Sequence, residues 1–268
     1  MKTTRTFSAL LSGFSLLAVS GAAQAAYMQN FDTLNPGAIN GQDGWGGAGT
    51  VQSTVAVSGQ ALALTATGEG PYRAGVFVSS NTMSPQRLQF DLQLSKTIAD
   101  FAGIAGQSIQ QQILVRGPEE NELFYIIYRG STGSADPDTG VVPVTENTFQ
   151  FRGSSATWTS LSSPQKNTWY HIEVDLSTQD KGAGTYGRLG SGTFVGRIYQ
   201  GNTLLTGANN SQTFYGNGNY NGIGFTAQGG DTASTVYVDN LSTGPVPEPA
   251  SLGLLGLGAV AMLRRTRK

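Results

Sequence analysis

The sequence predicts an all-β protein, an antiparallel two-sheet β-sandwich. Three observations carry that expectation. Short runs alternate apolar and polar residues with a period of two, the pattern of a half-buried strand. Sustained helical periodicity is absent from the body, and no strand–helix–strand alternation breaks it up. Glycine is abundant, 37 of 268 residues, and its turn signals fall between the alternating runs.

The clearest runs are Gln86 to Leu94 and Trp169 to Leu176. In the first, Leu88, Phe90, Leu92 and Leu94 point one way and Gln89, Asp91 and Gln93 the other. In the second, Ile172, Val174 and Leu176 alternate with His171, Glu173 and Asp175. Further strands are expected at Val51–Val57, Ala61–Ala66, Ala74–Val78, Gln110–Val115, Leu123–Tyr128, Thr148–Arg152, Thr193–Gln200, Gly222–Ala227 and Thr235–Leu241. Turns carry Ser58-Gly59, Pro71, Pro85, Gly117-Pro118, Gly130 and Gly201-Asn202, and Ile98 to Ala105 reads as one short helix. This body, residues 26–242, is about the size of a large single sandwich. It holds no cysteine, which excludes a disulfide framework, cysteine metal sites and thiol nucleophiles.

Both ends read as addresses. Lys2 and Arg5 precede an apolar stretch from Phe7 to Val19, and Ala23-Gln24-Ala25 is a small-x-small cleavage site. Residues 1–25 therefore read as a Sec-type signal peptide. At the other end Val246-Pro247-Glu248-Pro249 is followed by the apolar run Ala250–Leu263 and by Arg264, Arg265, Arg267 and Lys268. As a helix the apolar run reaches roughly 21 Å, short of the roughly 30 Å hydrocarbon core. It suits transient membrane association, with its basic end cytoplasmic. The prolines hold Glu248 in extended chain just outside the bilayer. Thr243 to Pro245 reads as a spacer. Six of the 16 basic residues and one of the 17 acidic ones lie in these ends, so the body carries a charge near −6 and is not built for nucleic acid.

The order and spacing of residues 246–268 resemble the PEP-CTERM sorting signal of Gram-negative bacteria that make extracellular polysaccharide. The resemblance implies recognition of Pro247-Glu248-Pro249 by an exosortase, removal of the tail, and display at the cell surface or in the biofilm matrix. The body has its own resemblance, carried by Asn30-Phe31-Asp32, Gly41-Gln42-Asp43-Gly44-Trp45, Ser58-Gly59-Gln60-Ala61-Leu62, Thr168-Trp169-Tyr170-His171-Ile172 and Val236-Tyr237-Val238-Asp239-Asn240-Leu241. In that order they resemble laminin-G-like, concanavalin-A-like jelly rolls. This implies a two-sheet jelly roll of a kind whose members often bind glycans and calcium, without implying an activity.

Several constellations bear on chemistry. Period two puts His171, Glu173 and Asp175 on one strand face. Concanavalin-like glucanases carry Glu-x-Asp-x-x-Glu on such a strand. Glu173 and Asp175 match that pattern, but Thr178 stands where the third acid would donate a proton. The plain alternative is a solvent face opposite the core stripe. Asp32 and Asp239, near the first and last strands, are a candidate pair for structural calcium, which also needs several further oxygens. Gly182-x-Gly184-x-x-Gly187 matches a dinucleotide fingerprint, yet no helix opens after it and no acid follows at the required distance, so it reads as a loop. Asp136-Pro137-Asp138-Thr139-Gly140 reads as a turn.

Sugar rings stack on exposed aromatic faces because their C–H edges are apolar. Trp45, Trp158, Tyr125 and Tyr128, the last two with Arg129, are the candidates for glycan contact; Trp169, just before a core stripe, reads as packing. With His171 the only histidine, neither a histidine zinc cluster nor a Ser-His-Asp triad can be argued. The expected function is a non-catalytic surface or matrix sandwich that binds or organises extracellular polysaccharide. The alternatives are a structural matrix component without a specific ligand, and a polysaccharide-degrading enzyme using Glu173 and Asp175.

Overall fold

A computed structural model describes residues 27–65, 70–76, 86–116, 122–153, 159–178, 192–206, 211–213, 222–229 and 234–245. The expected signal peptide, the sorting motif with its apolar run, Trp158 and the Gly182–Gly187 loop lie outside the described residues. Among the described residues the strands are, in chain order, β1 (Tyr27–Gln29), β2 (Gly37–Ala38), β3 (Trp45–Gly46), β4 (Thr50–Gln52), β5 (Ala61–Thr65), β6 (Tyr72–Ala74), β7 (Gln86–Leu94), β8 (Ser108–Arg116), β9 (Glu122–Thr132), β10 (Val144–Arg152), β11 (Thr159–Ser162), β12 (Trp169–Thr178), β13 (Gly192–Gln200), β14 (Thr203–Thr206), β15 (Ser211–Thr213), β16 (Gly222–Gly229) and β17 (Thr235–Pro245).

They form the expected sandwich of two antiparallel sheets. One has ten strands, ordered β14-β13-β12-β7-β17-β5-β4-β2, with β1 beside β17 and β15 beside β13. The other has seven, ordered β11-β10-β9-β8-β16-β6-β3. The alternation read from the sequence decides which side chains meet. Leu88, Phe90, Leu92 and Leu94 of β7 lie beside Ile172, Val174 and Leu176 of β12, all buried. Aromatic rings join the two sheets: Phe124 stacks on Phe194 at 4.5 Å, Phe90 meets Phe225 edge-on at 6.0 Å, and Phe149 meets Tyr170 at 5.5 Å. Gly196 faces inward under the Phe151 ring, which occupies the space a Cβ would need. Among the described residues, every buried core residue lies between Phe31 and Leu241.

Four expectations change. The helix expected at Ile98–Ala105 is a single 3₁₀ turn, Ile98–Phe101, where the Asp100 carboxylate accepts the Thr97 amide at 2.9 Å. The strand expected at Val51–Val57 stops at Gln52, because the Gln52 side chain turns the chain by accepting from the Thr54 and Val55 amides. The strand expected from Ala74 ends there, at Gly75 with φ 74°. Thr243–Pro245 is not a spacer. It completes β17, pairing with Arg87 and Gln86 through Gly244 and Pro245, and Thr243 is buried opposite Tyr27 of β1. The sorting motif at Val246 thus follows the last folded strand directly, and the first strand of the body lies beside that junction.

Candidate functional site

In a two-sheet sandwich each outer face carries the half of every strand that the core rejects. On the ten-stranded sheet the outward residues of β7, β12 and β13 fall into register rows: Asp91–His171–Tyr199, Gln89–Glu173–Arg197 and Arg87–Asp175–Val195. His171, Glu173 and Asp175 do share one face. Asp175 takes a forked pair from Arg87, Nε at 2.6 Å and Nη2 at 3.0 Å, and a third bond from Arg197 Nη1 at 2.6 Å. Glu173 accepts from Gln89 at 3.2 Å and from the Tyr199 hydroxyl at 3.3 Å, with Arg87 and Arg197 each at 3.8 Å. His171 Nδ1 lies 2.8 Å from Asp91 Oδ1, and the Asn240 amide donates to Asp91 Oδ2 at 2.7 Å.

These contacts determine what the carboxylates can do. Burial pushes the Asp175 carboxyl up, but the bonds and charges of Arg87 and Arg197 outweigh it and hold the group below the usual carboxylate range. A glycosidase acid needs the opposite shift. The bond to Asp91 raises the His171 imidazole above its ordinary value, against the effect of burial. These three rows form a ladder of ion pairs whose polar capacity is spent within the sheet.

The outer face of the seven-stranded sheet is built differently. Its rows are Gln110–Arg129–Thr148, then Thr226–Gln112–Ile127–Gln150, then Tyr125–Arg152. In the middle row Ile127, Gln150 and Thr226 point outward yet are only 3%, 6% and 6% exposed, so this row is sheltered. Gln150 donates from Nε2 to Glu146 and Thr148, each at 3.0 Å, while its buried Oε1 has no hydrogen-bond partner. Glu146 also faces Arg129 at 3.6 Å. The side chains of Gln110 and Gln112 make no hydrogen bonds among the described residues. A buried acceptor without a donor is costly and rare, and here it shares an outward-looking row with the unengaged amide of Gln112, across Ile127.

Parity sorts the residues singled out in the sequence. Tyr125 and Arg129 share this face. Tyr128 points the other way and is core: its hydroxyl accepts from the Ile98 amide at 2.7 Å and donates to Asn147 at 3.1 Å, and burial pushes its pKa up to about 12. Trp45 is also core, stacked on Phe225 at 5.8 Å. Neither ring can stack on a sugar, so both glycan-contact assignments are corrected. Trp169, read as packing, is instead outward and partly exposed; it is the next residue, Tyr170, that fills the core. Gln110, Gln112 and Gln150 were missed, although strand parity from Ile109 and Phe149 would have found them.

Asp32 and Asp239 both act on the 57–60 turn. Asp239, fully buried, accepts the Val57 amide at Oδ2 (2.9 Å) and the Asn240 amide at Oδ1 (2.7 Å). Asp32 accepts the Gln60 amide at Oδ1 (2.6 Å) and the Asn30 side chain at Oδ2 (2.9 Å). Burial, with a contribution from Asp32, raises the Asp239 carboxyl above its ordinary value. All four oxygens thus already accept N–H groups, and no group of three or more His, Asp or Glu is placed to hold a metal among the described residues. The pair is a turn clamp. Calcium there would need further oxygens beyond these four, which amides already use.

Residues 245–268 match the family described as the PEP-CTERM protein-sorting motif. The motif marks the chain as exported and sorted at the membrane before processing. Among the described residues no helix is long and apolar enough to cross a membrane. No curated protein matches the chain at a significant level. Solved structures similar to it include the alginate lyase Aly36B bound to an alginate tetrasaccharide (16% identity, 84% of this chain and 98% of that one, TM-score 0.42). Two others are the PL-14 alginate lyase from Aplysia kurodai (11%, 74% and 87%, 0.43) and the cellulose induced protein Cip1 (11%, 82% and 91%, 0.43).

Proposed function

We propose that the mature body is a non-catalytic glycan-binding sandwich that organises extracellular polysaccharide at the cell surface or in the matrix. It contacts the glycan through the outer face of the seven-stranded sheet. The observation that carries this reading is the orphaned Gln150 Oε1, on the same register row as the unbonded amide of Gln112, with Ile127 between them. Sugar hydroxyls both donate and accept, so a row of carboxamides with unspent capacity recognises them without needing charge. Tyr125 supplies a ring at one border and Arg129 a polar limit at the other. The Sec machinery and an exosortase are the partners that deliver the body. Calcium at Asp32 and Asp239 would have to share oxygens already used by amides, and a chelator arm tests it.

The test uses residues 26–245, which span all the described core residues. Retention on purified extracellular polysaccharide of the producing cell is compared between wild type and Gln112→Ala, with and without chelator, and the supernatant is assayed for released sugars. Removing an amide that bonds the ligand weakens binding about tenfold. Retention unchanged in Gln112→Ala and in Gln150→Leu would remove the site. Released oligosaccharides, lost in Glu173→Gln, would establish the degrading enzyme instead.

A further inference from the structure

The opposite face carries two partly exposed rings and a buried amide in one line. Tyr237 of β17, Gln93 of β7 and Trp169 of β12 share a single register row. Both rings lie on the outward side, and both are partly exposed. They are two strand spacings apart, roughly 10 Å. Between them Gln93 is only 6% exposed, and its amide makes no hydrogen bond among the described residues. On every other outward row of β7 and β12 the polar groups are spent on each other, as in the ladder from Asp91 to Asp175. This row alone combines apolar platforms with an unspent amide.

We propose that this row is a second glycan-binding strip, so that the body is bivalent and cross-links two polysaccharide chains. The inference rests on the glycan-binding reading above and extends it. Two aromatic rings flanking an amide match an extended chain of sugars: C–H faces stack on Trp169 and Tyr237 while hydroxyls meet Gln93. The neighbouring ladder sets the ligand class. Arg87, Arg197 and His171 stand against Asp91, Glu173 and Asp175, each cation facing a carboxylate. The surface beside the strip therefore presents no net positive field to hold a polyanion, and the strip takes neutral segments. The two faces point away from each other across a core about 10 Å thick, so one chain segment cannot occupy both.

The experiment uses residues 26–245 with hydroxyethyl cellulose as a neutral probe, alginate as an anionic one, and the producing cell's own polysaccharide. Affinity electrophoresis reads binding to one chain, and light scattering of the mixture reads cross-linking. Wild type is retarded and scatters. Trp169→Ala/Tyr237→Ala keeps its retardation through the other face, while scattering falls about tenfold or more because the two-handed bridge is gone. Trp169→Phe, which keeps a ring, retains most of the scattering and guards against a folding defect, as does a thermal melt of each variant. Retardation without scattering in wild type, or scattering unchanged in the double variant, overturns the bivalent inference and leaves the first site standing. Scattering with alginate alone overturns the neutral ligand class. A wild type that binds no probe overturns the glycan-binding reading itself.

Discussion

The two outer faces of this sandwich are made from the same strand geometry and use it in opposite ways. On the ten-stranded sheet, Arg87, Arg197, Glu173, Asp175, Asp91 and His171 satisfy one another across the strands. On the seven-stranded sheet, Gln110 and Gln112 satisfy nothing within the described residues, and Gln150 leaves a buried oxygen without a donor. Rows with their hydrogen bonds closed, such as this ladder, stabilise the fold. Rows with them open are the ones that leave polar capacity for another molecule, and they dominate the seven-stranded face.

The largest effect separates both faces from the core beneath them. Trp45→Ala removes a ring packed between Phe31 and Phe225 and costs about 3–5 kcal/mol, read as urea unfolding. If the variant instead keeps its stability and loses glycan, Trp45 is a ligand contact after all. Next comes the ladder. Asp175→Ala leaves two guanidiniums facing each other in a partly buried site. Stability should fall by about 2 kcal/mol, below the cost of a fully buried pair because these side chains are still about a fifth exposed. Polysaccharide retention through the seven-stranded face should not change. Gln112→Ala should give the reverse pattern. Stability stays within about 0.5 kcal/mol, as for most surface substitutions, while retention weakens about tenfold. Parallel losses of stability and binding in both variants would erase the distinction between the faces.

The strand pairs β7 and β12 were legible because period two with an unbroken leucine and isoleucine stripe leaves one register in which both stripes are buried. The sorting tail was legible from the order and spacing of residues 246–268. What stayed hidden depends on contacts between distant segments. Glu173 and Asp175 read as an acid/base pair because nothing local shows Arg87 and Arg197 beside them, 86 to 88 and 22 to 24 residues away in the chain. Trp45 and Tyr128 read as surface rings because a glycine-rich loop and a half-apolar strand do not reveal which side is covered. Trp169 shows the converse: its parity relative to Ile172 already placed it outside, and proximity to the core stripe was the weaker guide. The terminal strand ran four residues further than expected because Gly244 and Pro245 pair at a sheet position where propensity alone disfavours them.

The smallest effect tests whether the closed face is held by charge. His171 has its pKa raised in the fold, first by the bond to Asp91. A raised histidine contributes stability that is fully present below its unfolded value near 6.5 and is lost as pH rises through the higher folded value. Wild type should therefore lose stability as pH rises above about 6.5. Exposure of the ring keeps the loss under about 1 kcal/mol. His171→Gln should flatten that limb and leave the acid limb intact, because Asp175, held low by the arginines, loses its contribution only as pH falls below the ordinary carboxylate value. Urea midpoints across pH 3 to 8 read both limbs. A neutral-pH slope that persists in His171→Gln would mean that the imidazole is only a neighbour of Asp91, and that the ladder closes at the Arg87, Glu173, Asp175 and Arg197 cluster rather than running on to Asn240.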